Sequence, residues 1–286
     1  MKIAVLSGKG GTGKTLVSVN LAAVAESSRY IDCDVEEPNG HLFFKPQELQ
    51  THNEVTVMIP SFDADKCNGC RICTDFCKFN ALALVNDKPL LFPQICHSCG
   101  GCSLLCPEKA VTLHPKPIGV IQEGVYRQVH VLTGIQNPGE PSGVPIIQRL
   151  LSIIPADNRI NFIDCPPGSA CVVIESIRDA DYCILVAEPT LFGVHNLSMV
   201  HQLVRVFNKP FGAILNKNLD GENPAEYYCM EQRIPVLGRI PFNIELGRLN
   251  SDGQIAAHEK PEFHKLFTQL LNRVVQEVGH ETIINP

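Results

Sequence analysis

Eight of the chain's 13 cysteines fall into two runs of the same spacing. Cys67, Cys70, Cys73 and Cys77 lie in DADKCNGCRICTDFC, and Cys96, Cys99, Cys102 and Cys106 repeat the pattern C-x-x-C-x-x-C-x-x-x-C in QICHSCGGCSLLCP. Thiolates this closely spaced wrap one face of a metal centre, so the chemistry is metal binding or electron transfer. Zinc is one occupant to weigh, but its structural sites usually pair two C-x-x-C units per metal with no third cysteine in each run. The spacing therefore points to iron–sulfur clusters.

A second chemistry precedes the first. GKGGTGKT at 8–15 fits the phosphate-binding pattern G-x-x-x-x-G-K-[ST], placed after a short apolar run and before a helical one. Gly8, Gly10, Gly11, Thr12 and Gly13 let backbone N–H groups approach phosphates closely, and the following helix adds the positive end of its dipole. Lys14 is placed to reach the β- and γ-phosphates of a bound nucleotide, and Thr15 to bind Mg²⁺.

These residues need a scaffold, and the 286-residue chain with 44% apolar content is long enough to supply one. Apolar runs alternate with helix-length stretches: KIAVLS, then 14–27, YIDCD, INFID, YCILVAEP, FGAILNKN and PVLGRIP, each but the last with a plausible helix after it. This rhythm predicts an α/β fold with a doubly wound, mostly parallel sheet. Between about 55 and 117 it breaks into cysteines, prolines and short loops. An inserted module is expected at 61–116, dividing a larger domain into 1–60 and 117–286, with ALALVND, KPLLF and AVTLH as small strands. TGIQNPGEPSGVP at 133–145 reads as a surface loop before a helix at about 144–153. A last helix at about 260–278 puts Phe263, Leu266, Phe267, Leu270, Leu271, Val274, Val275 and Val278 on one face, to pack on the sheet.

The net charge of −6 argues against nucleic acid or an anionic membrane as a partner. The opening MKIAVLSGKG has no leader-like apolar region, and no run approaches the roughly 18 apolar residues of a spanning helix. The expectation is a soluble, cytoplasmic protein, where cysteine-rich chains serve metal or redox chemistry.

The loop resembles the deviant phosphate loop of the MinD/ParA/Mrp superfamily, which includes the nitrogenase iron protein, a branch of the SIMIBI P-loop NTPases. In that class an extra lysine, here Lys9, crosses a nucleotide-bridged dimer. The resemblance implies ATP hydrolysis, ADP as product, and an ATP-dependent homodimer or a heterodimer with a paralogue. YIDCD resembles the first switch segment, which implies that Asp34 positions the attacking water while Asp32 supports the loop. NFIDCPPGS resembles the second, with Asp164 reaching Mg²⁺ through water and Gly168 sensing the γ-phosphate. ILNKN and GRIPFN resemble the adenine-side segments, which carries over Asn216 and Pro241 as base contacts.

The cysteine runs resemble those of α+β bacterial ferredoxins holding two [4Fe–4S] clusters, with the usual proline after Cys106 and Lys78 in its place after Cys77. The resemblance implies crossed ligation, with Cys67, Cys70, Cys73 and Cys106 on one cluster and Cys96, Cys99, Cys102 and Cys77 on the other. His97 packs nearby without ligating. Cys33, Cys165, Cys183 and Cys229 are expected as small buried apolar groups. Cys171 stands where the iron protein carries a bridging-cluster ligand, but the second cysteine is missing, and Cys171 is expected to be buried against the second switch. Combined, the two resemblances imply an ATPase that gates electron transfer to a redox or metallocofactor-assembly partner. The alternatives are a cluster carrier and a positioning protein with a redox sensor.

Overall fold

The structure, a computed structural model, describes residues 1–284, the side chains of 47–53 and 280–284 excepted. Residues 285 and 286, the end of the second segment expected for the larger domain, lie outside it. The chain begins with β1 (Lys2–Leu6), α1 (Lys14–Val24), β2 (Ser28–Asp32) and the short α2 (Gly40–Phe44), then enters the long β3 (Gln47–Phe62). Next come α3 (Ile72–Phe76), β4 (Leu82–Val85), β5 (Lys88–Leu91), a single 3-10 turn at Pro93–Ile95, and α4 (Gly101–Leu104). A second long strand, β6 (Val111–Tyr126), returns to β7 (Val129–Gln136), α5 (Val144–Ser152), β8 (Ile160–Asp164), α6 (Cys171–Ile177), β9 (Tyr182–Ala187) and α7 (Leu191–Val206). The remainder is β10 (Phe211–Asn218), α8 (Pro224–Gln232), β11 (Val236–Pro241), α9 (Ile244–Ser251), α10 (Ala256–Glu259) and α11 (Pro261–Ile284).

Nine strands form one sheet in the order β11-β10-β9-β1-β8-β2-β7-β6-β3. Every pairing from β11 to β7 is parallel, and β6 and β3 continue antiparallel at the edge. Strands such as YCILVA, buried at every position, read as continuous apolar runs because helices cover both faces. One core packs α1 and α11 on Ile3, Val5 and Tyr30; the other packs α5, α6 and α7 on Ala4, Leu6 and Ile31. Alternate residues of one strand thus serve opposite layers. Along α11, Phe263, Phe267, Leu270, Leu271, Val274 and Val278 are buried, but Val275 is 40% exposed and leaves the expected stripe. No helix among the described residues is long and apolar enough to cross a membrane.

Three expectations need correction. AVTLH is no small strand but the start of β6, and β3 and β6 pair without interruption across 60/61 and 116/117, out to Phe62 opposite Val111. TGIQ at 133–136 is strand, because β6 pairs with β7 along its full length, so the loop begins at Asn137. PVLGRIP is followed by a helix after all, α9, whose cap Asn243 accepts from the backbone N–H of Leu246.

Candidate functional site

The phosphate loop leaves the carboxyl end of β1, where the strand order reverses with β8 on one side of β1 and β9 on the other, the usual crevice of open α/β sheets. Gly13 caps α1 at φ +95°, a conformation that strains any side chain, and a Cβ there would lie 2.0 Å from Asn216 Nδ2. At Gly8 a Cβ would meet the carbonyl oxygen of Asn196 at 2.2 Å. From below, Asn216 Nδ2 donates to the Thr12 carbonyl (2.8 Å), and Lys217 Nζ donates to the Gly11 carbonyl (2.9 Å) while paired with Glu188. Thr12 Oγ1 closes the loop on the Lys9 carbonyl at 3.1 Å.

Three donors converge on Asp164 at the end of β8. Lys14 Nζ lies 2.6 Å from Oδ1, and Oδ2 accepts from Thr15 Oγ1 (2.8 Å) and Tyr30 Oη (2.7 Å). Burial opposes the Lys14 charge, but contact with Asp164 and the nearby Asp32 and Asp34 outweigh it and raise its pKa. Asp32 is buried and caps the segment after β2, accepting from the backbone N–H groups of Asp34, Asn39 and Gly40. Burial, with Asp164 nearby, pushes its pKa up to about 7. Asp34 lines a cavity of about 650 Å³ together with Lys9, Gly10, Gly11, Gly13, Lys14 and Thr15. Neither Asn216 nor Pro241 lines that cavity; Pro241 ends β11 on the surface.

The cysteine segment hangs from the free end of the β3–β6 ribbon. Its backbone repeats: Gly69, Arg71 and Asn80 have positive φ, and so do Ser98, Gly100 and Lys109 at matching positions of the second quartet. Between the halves, β4 and β5 form a hairpin whose turn residues Asn86 and Asp87 both have positive φ, as a two-residue primed turn requires. The halves meet where α3 approaches α4, and a Cβ on Gly101 would lie 2.1 Å from Phe76 Cε1.

This approach crosses the quartets. One cavity is lined by Cys67, Cys70, Cys73 and Cys106, and a second by Cys77, Cys96, Cys99 and Cys102. Among the described residues no group of three or more His, Cys, Asp and Glu forms a site for a single metal ion. Four thiols around a cavity suit a larger, thiophilic group than one ion. The Cys106 sulfur also accepts the Ala110 N–H at 3.3 Å. Burial raises the Cys73 and Cys102 thiols, so any metal centre must displace their protons. His97 stacks on Phe79 at 4.0 Å.

The family model for the CobQ/CobB/MinD/ParA nucleotide binding domain matches residues 3–256. This chain belongs to that family. An uncharacterized protein of Methanocaldococcus jannaschii is 31% identical over 76% of this chain and 80% of its own length. The iron-sulfur cluster carrier protein of the same organism is 23% identical over 97% of this chain and 84% of its own. Among solved structures, the septum site-determining protein MinD of Pyrococcus horikoshii, complexed with Mg-ADP, has a TM-score of 0.60 at 18% identity, covering 96% of this chain and 95% of that one.

Within this MinD/ParA-type frame, Lys9 rests over the exposed ring of Phe192, 4.5 Å from its centroid. Gly168 has φ +93° and its N–H donates to the Ser7 carbonyl at 3.0 Å. Cys33, Cys165, Cys183 and Cys229 are buried, but Cys171 is exposed at the first turn of α6, against expectation. It starts the helix after the glycine-containing turn, so its side chain precedes the stretch of α6 that packs on the core. Sequence reasoning missed Tyr30, Glu188 and Lys217, although Tyr30 opens YIDCD and Lys217 sits inside ILNKN.

One consequence concerns pH. Burial, opposed by Lys14 and reinforced by Asp164, Glu37 and Glu36, pushes Asp34 up to about 6. The folded chain therefore holds this proton more tightly than the unfolded chain, a stabilisation complete below about pH 4 and lost as pH rises through 6. Asp34→Asn should stabilise the nucleotide-free protein at pH 7.5 by about 1–2 kcal/mol after allowance for partial exposure, with the gain vanishing near pH 4. Urea denaturation at both pH values measures it, and an equal effect at the two would contradict this origin.

Proposed function

We propose that the protein is an ATPase whose nucleotide state governs electron transfer from two [4Fe–4S] clusters held by residues 61–116 as an inserted ferredoxin-like domain. The electrons serve a partner metalloprotein or the assembly of a metal cofactor. The observation that carries this reading is the crossed grouping of the cysteines, since each cavity takes three thiols from one run and the fourth from the other. When bound, such clusters supply one-electron chemistry.

On this reading Lys14 would exchange Asp164 for the β- and γ-phosphates, and Thr15 and Asp164 would hold Mg²⁺, which would supply charge stabilisation to phosphoryl transfer. Asp34, facing the same cavity, orients the attacking water, and the Gly168 N–H leaves Ser7 for the γ-phosphate. The loop glycines and Thr12 bind phosphate by their backbone. Lys9 leaves Phe192 to cross an ATP-dependent dimer, formed with a second copy or a paralogue. Asn216, which also braces the loop, and Pro241 serve the base side.

A continuous set of contacts supports coupling. The Val35 carbonyl, next to Asp34, accepts the Gln136 N–H at 2.8 Å; beyond it Glu140 pairs with Lys116 at 2.7 Å, and Lys116 Nζ also donates to the Pro93 carbonyl at 3.3 Å, just before Cys96. A segment that reorganises with the γ-phosphate is thereby tied to the cysteine segment.

A second reading, a cluster carrier, draws on similarity to the carrier protein of M. jannaschii. Four thiols per cavity favour retention over transfer, and rapid loss of iron to an apo-acceptor would reverse that preference. The test of the first reading is an anaerobic EPR redox titration of iron-quantified protein with and without Mg²⁺ and a non-hydrolysable ATP analogue. A nucleotide-dependent shift in potential or spectrum is expected, and Glu140→Ala should abolish it while sparing iron content and ATPase rate. Identical titrations with and without nucleotide would sink the coupling.

A further inference from the structure

A second large cavity, of about 430 Å³, lies between β2, β6, β7 and the end of α5. It sits toward the amino end of the parallel strands. Arg29 pairs with His130 and Asn161 in register, three residues before Asp32, or about 10 Å back along β2 from the end that feeds the nucleotide site. Because Arg29 is one residue before Tyr30, it belongs to the opposite face of the sheet, beneath α5.

Its charge is unbalanced. Arg29, Arg149, Arg159 and His130 line it against Glu123. Arg29 is 5% exposed and satisfied, its guanidinium donating to both carboxylate oxygens of Asp157 at 2.8 and 2.5 Å and to Asn161 Oδ1 at 3.3 Å. That commits Asp157, whose nearest oxygen is 3.9 Å from Arg159 Nε. Arg159 Nη1 is buried and has no hydrogen-bond partner, one of very few such side-chain atoms among the described residues. Arg149, in the last turn of α5, is exposed, and no ion pair is formed by it among the described residues. Glu123 already has an interaction of its own. Burial, then Arg159 and Arg29, lower the His130 pKa, so its ring is neutral at pH 7 and accepts or donates one hydrogen bond.

The planar fork of a guanidinium matches carboxylate and phosphate oxygens, and the Arg159 side chain, 31% exposed, lines the cavity with its nearest carboxylate oxygen 3.9 Å away. Ile121, Leu132, Ile153 and Pro155 supply an apolar wall beside it. We infer that this cavity binds a small organic oxyanion, a phosphate or carboxylate on a partly apolar body, held by Arg149 and Arg159. The site is independent of the proposed nucleotide and cluster chemistry.

Isothermal titration calorimetry on cluster-loaded protein tests this, with the phosphate loop first saturated by Mg–ADP so that it takes no free anion. Inorganic phosphate and octanoate serve as separate probes. At least one should bind once per chain, and Arg149→Glu or Arg159→Gln should weaken it by about tenfold or more. Arg149 is exposed, so its replacement leaves the fold and ADP binding intact, which a thermal melt verifies. Saturable binding of phosphate alone identifies a phosphate headgroup, whereas tighter octanoate binding identifies a carboxylate with an apolar body. No saturable heat with either probe, or affinity unchanged in both variants, would overturn the inference.

Discussion

Lys14→Ala is expected to abolish ATP binding and turnover while leaving the iron content of the protein unchanged. The lysine is buried on Asp164 and lies at the head of α1, far along the chain from every quartet cysteine. Its removal takes the side-chain cation lodged between the loop and Asp164, and phosphoryl transfer depends on such charges being in place. A stability penalty should accompany the loss. Asp164 would be left buried without its counter-ion, although Thr15 and Tyr30 still donate to it, so the cost should sit near the low end for a broken buried pair, about 3 kcal/mol. Nucleotide binding by calorimetry, steady-state ATPase assays and iron analysis on one preparation check all three. Full ATPase activity in this variant would refute the assignment of the loop.

The second large effect separates cysteines by cavity rather than by sequence. Cys106→Ser should damage the same cluster as Cys67→Ser, and Cys77→Ser should damage the other, because Cys106 shares a cavity with the first quartet and Cys77 with the second. Each variant should lose about half the iron and keep nucleotide binding, as the quartets lie beyond the free end of the ribbon, outside the phosphate-loop cavity. Iron counts and the residual EPR spectra of the three variants decide it. An unchanged iron count, or a Cys106 variant whose spectrum matches that of Cys77→Ser, would defeat the crossed arrangement.

What the sequence disclosed was whatever is encoded over a few consecutive residues. The loop glycines, Lys14 and the parallel strands were readable because spacing and apolar runs act locally. The supports of the loop were not, since Asn216 and Lys217 reach Thr12 and Gly11 across some two hundred residues of chain. The β3–β6 ribbon was obscured by Pro60, Pro115 and Pro117, which argue against a central strand. They are tolerated because β7 pairs with β6 only from Gly119 onward, so the ribbon beyond that point is two-stranded and its outer edges need no partner. Cys171 was misplaced for a related reason, since burial depends on which turn of a helix reaches the core.

The ribbon has one more consequence. Phe62 and Val111 are cross-strand neighbours, so the chain leaves and re-enters the sheet at points one strand spacing apart, roughly 5 Å. Everything from 63 to 110 is therefore an excursion that begins and ends in the same place. A two-residue primed turn can close the gap without disturbing register, giving a shortened nucleotide-binding domain with its nine-stranded sheet intact. The same geometry makes the cysteine segment portable, able in principle to be set on any exposed hairpin whose strands share that spacing.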